Sequence, residues 1–253
     1  METNTTIDTA AAALTTSEAR FLVNAYYEAR DRRKAAANQT APIADWLGER
    51  HRTEEEQIRR TLESWTETMP AARWAKGIVG PVIAAGLAAH IDIGRCPTVG
   101  RIWRFAGLDP TQVWIKGRKC PWNAALKALC WKIGESFAKR SPDEAHFYAG
   151  LYRQRKAQEE AANEAGKFAR QAAAKLQLAG ASDEERRWYE QGKLPPAHIE
   201  ARARRWTVKL FLAHYHHVAW TLTTGREPAK PYVISILGHT DFIKPPNFDG
   251  GAR

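Results

Sequence analysis

Two glycines and a proline fall within five residues at Gly77-Ile78-Val79-Gly80-Pro81, and this cluster constrains the fold more than any other part of the chain. Before it, Ala71–Lys76 reads as a short turn of helix, and after it Val82–Ile91 is almost entirely Ala, Gly and aliphatic. Proline suits the first position of a helix, and glycine supplies backbone conformations closed to other residues. The cluster therefore predicts a tight hairpin that opens a new helix, and the small residues after it permit close helix packing.

The rest of the chain keeps helical spacing. Phe21, Leu22 and Tyr26, then Ile58, Leu62 and Trp65, recur three or four residues apart among charged neighbours, which marks amphipathic helices from Ser17 to Thr68. Asn38–Pro42 separates two of them, and Met69-Pro70 makes a second break. Trp122, Leu126, Leu129, Ile133 and Phe137 mark another helix. We expect an all-α fold in which a helix-hairpin-helix domain is embedded in a larger helical assembly with a projecting helical arm. The expected boundaries are a leader over 1–16, an N-terminal helical region over 17–69, the helix-hairpin-helix and basic helix over 70–142, the arm over 143–182, C-terminal helices over 183–225 and a docked tail over 226–253. In that tail the apolar run Tyr232–Leu237 reads as a docked segment or a short strand.

Charge narrows the class of partner. The 253 residues carry 38 Lys and Arg against 28 Asp and Glu, a formal net charge of +10, and such a field attracts polyanions. Most of the excess lies between residues 95 and 140, where ten basic residues meet only Asp109 and Glu135. A 44% hydrophobic content with ten Trp excludes wholesale disorder. No apolar run approaches the ~18 residues of a membrane span, so no membrane partner is expected. Cys96, Cys120 and Cys130 lack the spacing of a disulfide framework or a zinc site, and the start of the chain lacks the basic residues of a secretory signal. We expect a cytoplasmic, nucleoid-associated protein.

Candidate binding residues follow from the hairpin and the charge. Peptide N–H groups of Gly77, Ile78, Val79 and Gly80, turned outward at a helix N-terminus, would suit a backbone phosphate, because the helix dipole adds partial positive charge there and the missing side chains permit close approach. Lys76, Lys116, Arg118, Lys119 and Lys127 would add charge around them. Arg202 and Arg205, with Lys209, share one face of a later helix and form a second basic stripe suited to phosphates. Phosphate contacts position a protein without reading bases, so the expected partner is duplex or branched DNA bound with little sequence preference.

At this point the motifs resemble a known family. Gly77-Ile-Val-Gly-Pro-Val-Ile-Ala-Ala-Gly-Leu87, followed by Trp103-Arg-Phe-Ala-Gly-Leu-Asp-Pro110 and the basic stretch Lys116-Gly-Arg-Lys119, is similar to the C-terminal helix-hairpin-helix domain of the bridge-RNA-guided insertion-sequence transposases. The similarity spans about residues 74–140. It implies DNA binding and a phage or mobile-element origin. That family also carries a RuvC-like acidic domain and a serine nucleophile after the Ala-Gly-Leu-x-Pro motif. Here no serine lies between Gly107 and Gly134, and the helical residues before the hairpin do not pattern as a RuvC-like sheet.

Other reactive residues read as structural. Cys120 lies beside Arg118 and Lys119 but has no neighbouring His in sequence, and Asp109 before Pro110 reads as a turn former. His214 and His217 share a helix face, yet a metal site needs further ligands, and a core or interface role fits them better. Trp65, Trp122, Trp131, Trp206 and Trp220 lie at core spacing. We therefore expect no catalytic residue, no metal and no cofactor. Two other readings stay open. One is a diverged transposase- or recombinase-like strand-processing enzyme. The other is a protein- or RNA-interaction module such as a phage counter-defence factor. A homo-oligomer stays open under every reading.

Overall fold

The computed structural model describes residues 13–39, 43–178, 180–229 and 243–250. Every regular element among them is helical: α1 (Thr16–Ala37), α2 (Ile43–Glu67), α3 (Pro70–Val79), α4 (Pro81–His90), α5 (Val99–Phe105), α6 (Ala124–Lys139), α7 (Phe147–Glu164), α8 (Ala169–Leu176), α9 (Asp183–Glu190) and α10 (Pro196–Thr224), with a 3₁₀ turn at Ile93–Arg95. The all-α expectation is met. The leader before residue 13 and the run Tyr232–Leu237 lie outside the described residues.

The described chain divides into two units, one holding residues up to Leu129 together with those from Ala213 onward, the other Cys130–Leu212. The first is organised by α1, α2 and α4. Thr15 caps α1 reciprocally: its hydroxyl accepts from the Glu18 amide at 3.2 Å, and the Glu18 carboxylate accepts from the Thr15 amide at 2.8 Å. These bonds to the ionised form hold the Glu18 carboxyl below its ordinary range. Ala19 and Val23 of α1 meet Leu62 and Trp65 of α2 and Val82, Ala85 and Ala89 of α4. The small residues of α4 act as the sequence suggests: seven of its ten positions are buried, and a Cβ at Gly86 would come within 2.7 Å of Leu129 Cδ2. Trp65 pins the entry of α1 by donating its indole N–H to the Leu14 carbonyl at 3.0 Å.

The second unit has two apolar centres. Phe137, Tyr148 and Phe211 pack ring against ring, with centroids 5.1–5.7 Å apart. Phe168, Ala172, Tyr189, Leu194 and Ile199 form the other. The segment expected as an arm holds two helices, α7 and α8, parted by a turn at Gly166 (φ +75°). Ala172 of α8 lies in the second apolar centre, so this hairpin is packed within its unit. Buried Asn163, at the end of α7, exchanges two hydrogen bonds with the backbone of Leu194, at 2.9 and 3.0 Å, which satisfies peptide groups in the loop before α10.

Candidate nucleic-acid interface

The corner between α3 and α4 differs from the expected hairpin. Helix α3 continues through Gly77, Ile78 and Val79, and Gly80 alone turns the chain, at φ +83° and ψ 166°. Within an α-helix each amide donates to the carbonyl four residues back, and the Gly80 amide extends this pattern by donating to the Lys76 carbonyl at 3.0 Å. The amides of Gly77, Ile78, Val79 and Gly80 are therefore occupied, and the Ile78 and Val79 side chains are buried. Lys76 is occupied as well. Its ammonium donates to Glu67 and lies 3.6 Å from Glu63, and the bond to Glu67 raises its pKa. The expected phosphate cradle thus becomes a sharp corner with an internal ion pair. The physical reason is that Gly77 is tolerated inside a helix, whereas only Gly80 has a backbone conformation that demands glycine.

A different surface is built downstream in the same unit. Asp92 accepts from the Gly94 amide at 3.1 Å and opens the 3₁₀ turn. Helix α5 ends at the Ala106-Gly107-Leu108 motif, where the Leu108 amide donates to Trp103 at 2.8 Å and the Gly107 amide to Arg104 at 3.1 Å. This pattern is the Schellman cap, with Gly107 at φ +66° in its left-handed position. A Cβ there would also come within 2.8 Å of the Trp122 ring. Asp109 then accepts from the amide and hydroxyl of Thr111 at 2.9 and 2.7 Å, the turn role expected of it. The far end of the loop is held by the Asn123 amide, which donates to the Phe105 carbonyl at 2.9 Å, while its side chain caps α6 by accepting from Leu126. The basic loop 112–122 is therefore fastened at both ends.

Pairing separates this surface from the rest of the unit. Of the eight arginines on α1 and α2, five are in ion pairs: Arg32 binds Glu28 at 3.1 Å, Arg33 binds buried Glu55, Arg52 binds Glu49 at 2.7 Å, Arg59 binds Glu56 and Glu63 at 2.8 and 2.7 Å, and Arg60 binds Glu56 at 2.8 Å. Arg20 donates to the Ala89 carbonyl at 2.7 Å, and Arg50 lies over the Trp46 ring. Hydrogen bonds from Arg59 and Arg60 lower the Glu56 carboxyl to about 2. Arg95, Arg101, Lys116, Arg118, Lys119 and Lys127, by contrast, are all exposed. Among the described residues none of these six has a carboxylate within ion-pair distance. Arg104 reaches Asp109 only at 3.9 Å. The Lys127 ammonium lies 3.9 Å from the centre of the Trp122 ring, a cation–π contact that fixes its position without cancelling its charge. Arg95 and Arg101 also line a cleft of about 560 Å³ with His90, Ile91 and Phe105.

In the other unit, Arg202 is not a free phosphate ligand. It donates to buried Glu159 at 2.7 Å and lies 4.3 Å from the Phe168 ring centre, and Glu159 is shared with Arg155. Burial works to raise the Glu159 carboxyl, but bonds from the two guanidinium groups bring it below its ordinary value. Arg205 is exposed and has no carboxylate within ion-pair distance among the described residues, so the expected stripe loses Arg202 and keeps Arg205.

The reactive residues are engaged structurally. His214 donates Nε2–H to the Ile243 carbonyl and His216 to the Cys96 carbonyl, both at 2.8 Å, and His217 meets the edge of Phe248. Burial lowers all three imidazole pKa values, that of His214 to about 4. Among the described residues no group of three or more His, Cys, Asp or Glu is placed to hold a metal. Burial raises the Cys130 thiol to about 12 and, with Asp92 nearby, raises Cys96, which keeps both as protonated thiols. Trp131, expected in the core, is 62% exposed.

Arg95, Arg101 and the exposed run Val113-Trp114-Ile115 are the parts of this surface that the sequence reading did not single out. The two arginines are visible in the sequence only within the charge count, and three apolar residues in a row carry no signal of exposure. Comparison with protein-family models, with curated proteins and with solved structures finds no match.

Proposed function

We propose that this chain binds nucleic acid, DNA foremost, through its phosphate backbone and without catalysing strand chemistry. The observation that carries the reading is the set of six exposed cations, Arg95, Arg101, Lys116, Arg118, Lys119 and Lys127, without carboxylate partners among the described residues, in a unit whose other arginines are largely paired. Lys and Arg that are not neutralised internally attract phosphates over a Debye length of about 8–10 Å. The order of the motifs, with the resemblance they carry to transposase helix-hairpin-helix domains, supports a role in mobile-element or phage DNA handling. No helix among the described residues is long and apolar enough to cross a membrane.

The test is a salt titration of binding to a short DNA duplex. Neutralisation of about six phosphates gives a slope of log K against log salt near −5. An affinity independent of salt, or no binding at low salt, rules the reading out. Supercoiled plasmid incubated with the protein and magnesium or manganese is expected to remain intact. Nicking by the purified protein would favour the strand-processing alternative.

A further inference from the structure

Val113, Trp114 and Ile115 are 77%, 51% and 55% exposed, and they run directly into Lys116-Gly117-Arg118-Lys119. Contiguous exposed apolar side chains mark a contact surface. Here they sit on an ordered turn. The Arg118 amide donates to the Ile115 carbonyl at 3.0 Å, and Gly117, at φ +85°, occupies the third position, where a type II turn needs glycine. Across the turn the Trp114 indole N–H donates to the Arg118 carbonyl at 2.8 Å. The indole is thus held in place, its one donor is used, and half of its surface faces outward among three cations.

A ring so placed offers a flat face and no hydrogen-bond donor. Bilayer headgroups and polar protein hot spots engage tryptophan through its N–H as well as its ring, which makes them poorer matches. Nucleobases need only the face, because every base has a π surface, and aromatic side chains beside backbone-binding cations form the usual platform for unpaired strands. Within an intact duplex the base faces are covered by their neighbours. The Trp114 face can meet only a base that has lost a stacking neighbour.

We propose that Trp114 is a stacking platform for an unpaired nucleotide, with Lys116, Arg118 and Lys119 on the flanking phosphates, so that the chain favours single-stranded or branched nucleic acid over intact duplex. The inference rests on the nucleic-acid reading above and adds the form of the ligand to it.

The test compares the full chain with Trp114→Ala and Trp114→Phe on DNA probes of equal length that are single-stranded, branched or fully duplex, on a single-stranded RNA of the same sequence, and on phosphatidylcholine–phosphatidylserine vesicles. A 2-aminopurine in the unpaired stretch reports stacking. The parent is expected to quench 2-aminopurine and to bind unpaired probes more tightly than duplex. Trp114→Ala should lose about tenfold or more on unpaired probes and little on duplex, with an unchanged salt slope and helical circular dichroism, and Trp114→Phe should recover most of the loss. Trp114-dependent binding to both DNA and RNA supports the stacking role and names the source by relative affinity. If the parent binds duplex as well as unpaired probes and Trp114→Ala changes nothing, the platform is wrong while backbone binding stands. No nucleic-acid binding at low salt defeats both, and Trp114-dependent binding to vesicles alone assigns the turn to a membrane surface instead.

Discussion

Alanine at Gly77 and alanine at Gly80 should act with opposite sign, although both glycines belong to the same five-residue motif. Gly77 lies in the last turn of α3, is exposed, and would place a Cβ with no heavy atom within 4 Å. Its backbone is helical, so Gly77→Ala restricts the unfolded chain without strain and should stabilise the protein by about 0.5–1 kcal/mol. Gly80 also has open space around its Cβ position, but its φ of +83° with ψ of 166° belongs to a region nearly exclusive to glycine. Gly80→Ala should therefore cost about 1–3 kcal/mol, all of it torsional. Urea unfolding followed by helical circular dichroism measures the difference, and each kcal/mol corresponds to about 2–4 °C in melting temperature for a chain of this size. DNA affinity supplies a second readout. The Gly77 amide is committed within α3, so Gly77→Ala should bind DNA within about twofold of the parent, well under 1 kcal/mol. A destabilising Gly77→Ala, or a folded Gly77→Ala that loses affinity, would show that the chain leaves the helix before Gly77 and presents its amides outward after all.

Three further outcomes test the charge, the histidines and the thiols. Replacing Lys116, Arg118 and Lys119 together by alanine should make the salt slope shallower by about 2–3 and weaken all DNA sequences alike, whereas a loss confined to one sequence would mean that bases are being read. Native His214 resists protonation down to about 4, while the unfolded chain takes up that proton near 6.5. Stability should therefore fall progressively as pH drops from about 6.5 to 4, by up to about 3 kcal/mol from this group, with buried His216 acting in the same direction. Urea midpoints across that range measure the fall, and His214→Gln should flatten it. Cys96 and Cys130 are buried and Cys120 is half-exposed, so a thiol reagent should modify one cysteine rapidly in the native protein and all three after denaturation.

Local rules carried most of the fold. The breaks at Asn38 and Met69-Pro70 are helix ends because capping and proline chemistry act within a few residues, and Ala106-Gly107-Leu108 is a cap because its left-handed position demands glycine. Trp131 stands five residues after Leu126 and two before Ile133, roughly 140–160° around the helix from their stripe. It is 62% exposed while they are fully buried, so spacing alone argues against a core place for it. The departures on α10 come instead from tertiary packing. On α10 Trp206 and Trp220, expected at core spacing, are only half-buried, as is His217, whereas Ile199, Ala203, Phe211, Leu212 and Tyr215 are buried. A helix enclosed on most of its circumference has no single apolar face to find.

The candidate interface follows the same division, with charge in place of packing. A sequence counts cations and cannot pair them across a break in the helix. Lys76 stands beside the glycines, but its partner Glu67 lies nine residues earlier, across the break before α3, where helical spacing no longer relates the two. Arg202 shares a helix face with Arg205 but is bound to Glu159, forty-three residues away. An exposed ion pair contributes little to stability, on the order of 0–1 kcal/mol, yet it removes a cation from the field that an incoming phosphate meets. Arg95, Arg101, Lys116, Arg118, Lys119 and Lys127 keep that field because the stretch from 95 to 140 holds only two acidic residues. Of these, Glu135 is engaged by Arg204, and Asp109 is turned onto Thr111. The scarcity of local acids, legible in the sequence, thus decides which cations remain open, and distant acids, which are not legible there, remove the others.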